Sequence, residues 1–110
     1  MFRYKAKLLK VVDGDTIDAE IDLGFSVFIK KRIRLHKIDA PETRTKNKKE
    51  KILGKRAKNR LLEVLKSNNN KFVLVSHGVG KFGRCLGEIF VNNSSINELL
   101  IKEGYAIEYD

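Results

Sequence analysis

The chain has 110 residues, of which 42% are hydrophobic, so it can bury one core but hardly two, and we expect one domain over residues 1–110. A formal charge of +9 at pH 7 attracts polyanions, with nucleic acid ahead of an anionic membrane surface as the expected partner. The single cysteine excludes an intramolecular disulfide. No apolar run approaches the length of a signal-peptide core or the ~18 residues of a membrane span, so we expect a soluble, cytoplasmic protein outside membranes.

Two strands joined by a tight turn are predicted at the start of the chain. Residues 2–12 alternate loosely between apolar and basic side chains, and residues 16–23 alternate strictly between apolar and acidic ones. Alternation of this kind is typical of half-buried strands. Between the two segments, Asp13-Gly14 is a turn signal, so Asp15 should stand at the start of the second strand of a hairpin.

A third strand and a helix are predicted next. The strand covers residues 26–38, and Pro41 ends it because proline cannot donate to a sheet ladder. From residue 50 to 66, apolar side chains recur at helical spacing, although Gly54 weakens the pattern slightly. The apolar positions of this helix are Leu53, Ala57, Leu61, Val64 and Leu65.

The last third of the chain predicts two strands and a short helix. The strands cover residues 71–76 and 84–91, with a glycine-rich turn between them. Ser95 and Glu98 form a capping box that begins the helix, and Gly104 would end it. Five strands, with one helix between the third and fourth and another at the C-terminal end, predict an α+β, mainly β fold: a five-stranded OB-fold barrel.

Most of the positive charge lies in one basic segment, Arg44 to Arg60, which has nine Lys and Arg residues and a single acidic residue, Glu50. Such runs are more commonly the solvated face of a helix than a binding surface. This one follows directly after a group of carboxylates, which favours a role in binding a polyanion.

Three carboxylates and two arginines point to phosphodiester chemistry. Asp15 begins one strand and Asp39 ends another, so a curled sheet could bring them together, where a divalent cation would relieve their repulsion. Oxygen ligands favour Ca²⁺ or Mg²⁺ over zinc, and a site completed by waters suits Ca²⁺. Glu42 follows closely enough to face the same cation through water. Arg34 and Arg84 each offer a planar fork of donors to phosphate oxygens.

Five segments, in this order, resemble the staphylococcal nuclease family: Val12-Asp-Gly-Asp-Thr16, Arg32-Ile-Arg-Leu35, Ile38-Asp-Ala-Pro-Glu42, Gly83-Arg84, and Asn97-Glu-Leu-Leu100 with Gly104. The resemblance implies an OB-fold nuclease that uses Ca²⁺ to cleave DNA and RNA and leaves 3′-phosphate ends. The metal ligands that it implies are Asp15, Asp39 and the backbone carbonyl of Ala40. The catalytic residues that it implies are Glu42, as the base that activates water, and Arg34 and Arg84, on the phosphate.

Three further residues are expected to contact the substrate. Lys81 could approach a phosphate, and Phe82 could stack on a base, as a tyrosine does at the matching family position, or could equally be a packing residue. Tyr109 lies one place before the position that aligns with a substrate-contacting tyrosine of the family. His36 and His77 lack metal-ligand spacing and are interpreted as structural or exposed.

Two other functions compete with the nuclease, which we expect to prefer single-stranded or frayed substrates and to act as a monomer or, alternatively, a homodimer. One is a non-catalytic OB-fold module that binds nucleic acid. The other is a basic accessory protein of a nucleoprotein assembly, which would leave the carboxylates unexplained. Since degenerate nuclease-like modules usually lack several catalytic residues, the presence of all five charged side chains favours the enzyme.

Overall fold

Five long strands close into a mixed barrel in the computed structural model of this chain, which describes residues 2–80 and 83–109. In chain order the elements are β1 (Arg3–Asp13), β2 (Thr16–Asp22), β3 (Phe28–Leu35), β4 (Ile38–Asp39), α1 (Lys48–Lys66), β5 (Lys71–Val79), β6 (Cys85–Val91), β7 (Ser94–Ser95), α2 (Ile96–Lys102) and β8 (Ile107–Glu108). The barrel order is β3, β2, β1, β5, β6, and a parallel pairing of β3 with β6 closes it. The predicted mainly β, OB-type fold is confirmed.

Strand alternation explains how the barrel fills its interior. On β2, Ile17 and Ala19 are fully buried, while Asp18 between them faces outward. On β3, Ile33 and Leu35 point inward, so Arg34 between them lies on the outer face. The two helices then cover the barrel with buried side chains from one face each: Gly54, Ala57, Leu61 and Leu65 from α1, and Ile96, Asn97 and Leu100 from α2.

The predicted third strand, over residues 26–38, is wrong at both ends. Phe25 and Ser26 have positive φ angles of 56° and 61° in the turn that precedes β3. Lys37 has a φ of 63°, which ends the extended backbone and separates β3 from the two-residue strand β4. Because of this break, β4 pairs with β8 instead of continuing along the barrel, and Asp39 is folded back toward the end of β3.

Helix α1 begins two residues earlier than predicted, and its predicted apolar face is confirmed at Ala57, Leu61 and Leu65 but not at Leu53. The side chain of Asn47 caps it by accepting a hydrogen bond from the backbone N–H of Glu50. Leu53, predicted to lie in the core, has 51% of its surface exposed. Gly54 is buried in its place, because a residue without a side chain lets the helix backbone approach the carbonyl groups of Pro41 and Glu42.

We predict that Gly54→Ala lowers the free energy of unfolding by about 1–3 kcal/mol, as overpacked sites do. A Cβ atom here would lie 2.5 Å from the carbonyl oxygen of Glu42 and 2.8 Å from that of Pro41. This clash should outweigh the helix propensity that alanine normally adds. Urea denaturation measures the change, with Asn59→Ala on the exposed face of α1 as the control. A stabilised Gly54→Ala variant would show that this close approach is not real.

The C-terminal elements follow the prediction with small shifts. Strand β5 extends to Val79, beyond the predicted end at Ser76. Helix α2 is capped as expected, because Ser95 Oγ accepts a hydrogen bond from the N–H of Glu98 at 3.2 Å. The chain leaves this helix at Gly104, whose φ of 81° suits glycine. Neither helix of the described ranges has the length and hydropathy needed to span a bilayer.

Candidate functional site

Asp15 lies in the turn between β1 and β2 and is buried, with 7% of its surface exposed. Its Oδ1 accepts a hydrogen bond from Thr16 Oγ1 at 2.9 Å, and its Oδ2 accepts one from the N–H of Ala40 at 2.8 Å. Burial raises the pKa of this carboxyl, because the Ala40 amide, Arg34 and Thr16 offset only part of the cost of removing its charge from water. A further positive charge at this position would stabilise the ionised carboxylate.

Arg34 lies between two carboxylates. It stands on the outer face of β3 opposite Thr16, and 15% of its side chain is exposed. Its Nη2 is 3.2 Å from Asp39 Oδ1, and its Nη1 is 3.5 Å from Asp15 Oδ2. Nη1 also donates a hydrogen bond to the carbonyl of Ile38 at 2.8 Å. The guanidinium is therefore fixed in place by backbone as well as by charge.

Strand β4 delivers the other acidic residue of the site. The side chain of Asp39 is half-exposed, whereas Ala40 is buried and directs its N–H at Asp15. The structure thus brings together Asp15, Arg34, Asp39 and Ala40, which come from three separate parts of the chain. The turn at Lys37, which the sequence did not reveal, is what makes this convergence possible.

The donor set fits a hard cation better than a transition metal. In residues 2–80 and 83–109, no three side chains of His, Cys, Asp or Glu converge on one point. Asp15, Asp39 and the Ala40 carbonyl would supply oxygen ligands alone, leaving the remaining positions to water, as the flexible coordination of Ca²⁺ allows. The buried Asp15, with its raised pKa, carries this fit because a nearby cation would compensate its charge.

Arg34, Arg84 and Tyr109 line one cleft of about 620 Å³. The turn after β5 is tied to Arg84, because the N–H of Gly80 donates to the Arg84 carbonyl at 2.8 Å. Tyr109, which is more than half exposed, donates its N–H to the Lys37 carbonyl at 2.9 Å. These three residues therefore border a space of the size of typical ligand sites.

Glu42 lies on the exposed loop between β4 and α1. Its backbone N–H donates to Glu50 Oε2 at 3.3 Å. Within the described ranges, its carboxylate makes no hydrogen bond or ion pair, so no contact joins it to Asp15 or Arg34. Glu42 follows Ala40 by two residues in sequence, and its backbone packs against Gly54 of α1.

Helix α1 carries the basic segment on its solvent side, with one exception. The exposed basic residues of the helix are Lys48, Lys49, Lys51, Lys55, Arg56 and Lys66. Arg60 is engaged instead in tying α1 to the end of α2, because its Nε lies 2.6 Å from Glu103 Oε1. Lys49 lines a groove with Asp39 and Ala40, so the basic face is continuous with the acidic site.

We predict that replacing Lys48, Lys51 and Lys55 by glutamine weakens binding of single-stranded DNA and makes it less dependent on salt. Each lost phosphate contact should reduce the slope of log K against log salt by about 0.7. Fluorescence anisotropy at salt concentrations from about 50 to 200 mM measures both the affinity and its salt dependence. Replacing Lys5, Lys7 and Lys71 on the barrel removes the same charge and is the control. Equal effects of the two triple variants would indicate a response to net charge alone.

Two predicted substrate contacts, Lys81 and Phe82, lie outside the described residues.

Sequence reasoning also missed one pairing near the cleft: the rings of His36 and His77 stack, with centroids 4.4 Å apart and planes 16° from parallel. Burial, together with the neighbouring His77, lowers the pKa of His36. No sequence spacing signals this pair, because it forms only when β3 and β5 are brought together by β6.

Several known proteins are similar to this chain in sequence. A family model described as staphylococcal nuclease homologue matches residues 32–110. An uncharacterized protein of Bacillus anthracis is 35% identical over 107 residues, covering 94% of this chain and 46% of the relative. A staphylococcal-like nuclease of Arabidopsis thaliana is 32% identical over 78 residues, covering 71% and 22%.

A micrococcal nuclease of Shigella flexneri is 26% identical over 115 residues, covering 96% of this chain and 59% of that protein. The chain thus spans about half the length, or less, of these curated relatives. The family model covers Arg34, Asp39, Glu42 and Arg84, and the relatives that align with 94–96% of the chain extend the similarity beyond it. Since the family model matches more than half of its residues, the chain belongs to the staphylococcal nuclease family.

Proposed function

We propose that this chain is a calcium-dependent endonuclease that hydrolyses DNA and RNA to products with 3′-phosphate ends. The observation that carries the proposal is the position of Arg34, which touches both carboxylates on one side and lines the cleft shared with Arg84 on the other. Guanidinium groups beside a pair of carboxylates can bind the oxygens of a phosphate diester that lies next to a divalent cation.

Asp15, Asp39 and the Ala40 carbonyl are the residues that would hold calcium. Bound calcium supplies positive charge that polarises the phosphate and makes a nearby water more acidic. Thr16 and the Ala40 amide orient Asp15 for this task, since both of its oxygens accept hydrogen bonds from rigid partners.

Three side chains take part in the reaction: one acts as the base, and two bind the phosphate. Glu42 takes the proton from a water that attacks phosphorus, and the bond from phosphorus to the 5′ oxygen breaks. The 5′ oxygen leaves with the bonding electron pair and takes a proton from solvent water, so the phosphate stays on the 3′ side. Arg34 and Arg84 donate to the non-bridging oxygens, where negative charge increases as the five-coordinate transition state forms. The guanidinium of Arg34 needs little reorganisation for this, because backbone carbonyls already hold it.

The expected substrate is single-stranded or frayed nucleic acid. A flexible single strand can place one phosphate in the cleft that Arg34 and Arg84 line, while its unstacked bases are free to contact neighbouring side chains. The basic face of α1 continues from the site and supports binding to the flanking backbone.

A cleavage assay separates this proposal from a non-catalytic binding module. The protein is mixed with a single-stranded DNA that carries a fluorophore and a quencher, in calcium or in a calcium chelator. We expect a calcium-dependent signal that is lost in Glu42→Ala and Arg34→Ala. Binding without cleavage under every condition would select the module and reject the nuclease.

A further inference from the structure

Asp13 has no role in the chemistry described so far, yet it ties two parts of the site together. Its Oδ1 accepts a hydrogen bond from Thr43 Oγ1 at 2.6 Å and a second from the Thr43 N–H at 3.2 Å. Both contacts are partly buried and join residues 30 positions apart. Thr43 directly follows Glu42, so these bonds fix the backbone of the loop that carries the proposed base.

Other contacts hold the same loop from its opposite side. Glu50 accepts a hydrogen bond from the Glu42 N–H, and Gly54 lies directly against the Glu42 carbonyl. The turn between β1 and β2 is just as tightly packed, since a Cβ at Gly14 would lie 2.6 Å from Ala57 Cβ. The loop is therefore clamped between the turn on one side and α1 on the other.

We propose that Asp13 and Thr43 are positioning residues that aim the Glu42 carboxylate at the attacking water, an inference that rests on the proposed nuclease function. Asp13 and Asp15 flank Gly14 in one rigid turn, so the same turn orients a calcium ligand and anchors the loop of the base. A general base must lie within hydrogen-bond reach of the proton that it removes, and a misplacement of ~1 Å can cost ~10²-fold in rate.

The test compares variants of Thr43 that differ in one hydroxyl group. Thr43→Val keeps the shape but removes the Oγ1 donor, and we expect it to lower kcat by about 10-fold, less than the ~10²-fold or more that general-base catalysis supplies, because the Thr43 N–H still bonds Asp13. KM should change by less than about 2-fold, since the phosphate ligands are untouched. Thr43→Ser should restore kcat. Thr45→Val, in the same loop, should retain the wild-type kcat.

Two double variants show whether the bond acts through Glu42. Asp13→Ala combined with Thr43→Val should lose no more activity than Asp13→Ala alone, because that single change already removes both hydrogen bonds to Thr43. Adding Thr43→Val to Glu42→Gln should lower the residual kcat no further. Thermal unfolding of each variant identifies a loss that arises from unfolding instead of misplacement.

Each outcome bears on the proposal. An active wild-type enzyme with an unchanged kcat in Thr43→Val would overturn the positioning role alone. A 10-fold loss that persists in the Glu42→Gln background would also overturn it, because the bond would then act on another part of the site. A wild-type protein that cleaves no nucleic acid would overturn the nuclease function first, and the positioning role with it.

Discussion

Arg34→Ala is expected to lower kcat by about 10²-fold or more, the cost of removing one fixed donor from a developing negative charge. The side chain points at the cleft with its direction set by the carbonyl of Ile38, so its electrostatic effect is present before the substrate binds. Initial rates on the quenched single-stranded DNA measure the loss. Arg34→Lys should recover only a small part of it, because an ammonium group lacks the planar fork.

Arg32→Ala provides a matched control for this prediction. Arg32 lies two residues earlier on the same face of β3 and makes a bidentate contact with Asp18, with Nε 2.8 Å from Oδ1. Its loss removes the same charge from the same strand face but no group of the site, so kcat should stay within about 2-fold of wild type. Equal losses in the two variants would mean that overall charge, and not the placement of Arg34, determines the rate.

Asp15→Asn is expected to abolish calcium-dependent cleavage, with a loss of about 10²-fold or more, while making the metal-free protein more stable at neutral pH. The asparagine oxygen can still accept the Ala40 N–H, and its amide can donate to Thr16, so the local hydrogen bonds survive. The substitution removes the buried negative charge of Asp15. Initial rates and urea denaturation in chelator measure the two effects.

The sign of the stability change follows from the raised pKa of Asp15. The folded chain holds this proton more tightly than the unfolded chain, whose carboxyl has an ordinary pKa near 3.8. Wild-type stability therefore falls as the pH rises from below that value through the folded-state pKa. The advantage of Asp15→Asn should be small at pH 3 and larger at pH 7. An asparagine variant that is less stable than wild type at pH 7 would contradict this account.

Periodic sequence patterns predict strands and helices well, but they do not predict where such an element is interrupted. The alternation in residues 16–23 predicts β2 almost to its ends, since inward and outward side chains alternate directly with the backbone. The end of β3 depends instead on the positive φ of Lys37, which no local sequence pattern indicates. One position of the α1 face was wrong for a related reason: the loop at Pro41 and Glu42 packs on Gly54, and Leu53 is left exposed.

The site shows the same division between motif and long-range contact. The motif segments identified Asp15, Arg34 and Asp39, and the barrel brings all three into contact through one guanidinium. The bond from Asp13 to Thr43 was not foreseen, because the sequence pattern interprets Asp13 only as part of a turn. Thr43 lies next to Asp13 only because β4 turns back and α1 packs the loop against that turn.

Isothermal titration of the metal-free protein with calcium tests the central claim most directly. The claim is that Asp15 and Asp39, with the Ala40 carbonyl, bind one calcium ion beside Arg34. The predicted result is a single site per chain that is lost in both Asp15→Asn and Asp39→Asn and retained in Arg32→Ala. Calcium binding that is the same in wild type and in both asparagine variants would contradict it, as would the absence of binding by the wild-type protein in the presence of single-stranded DNA.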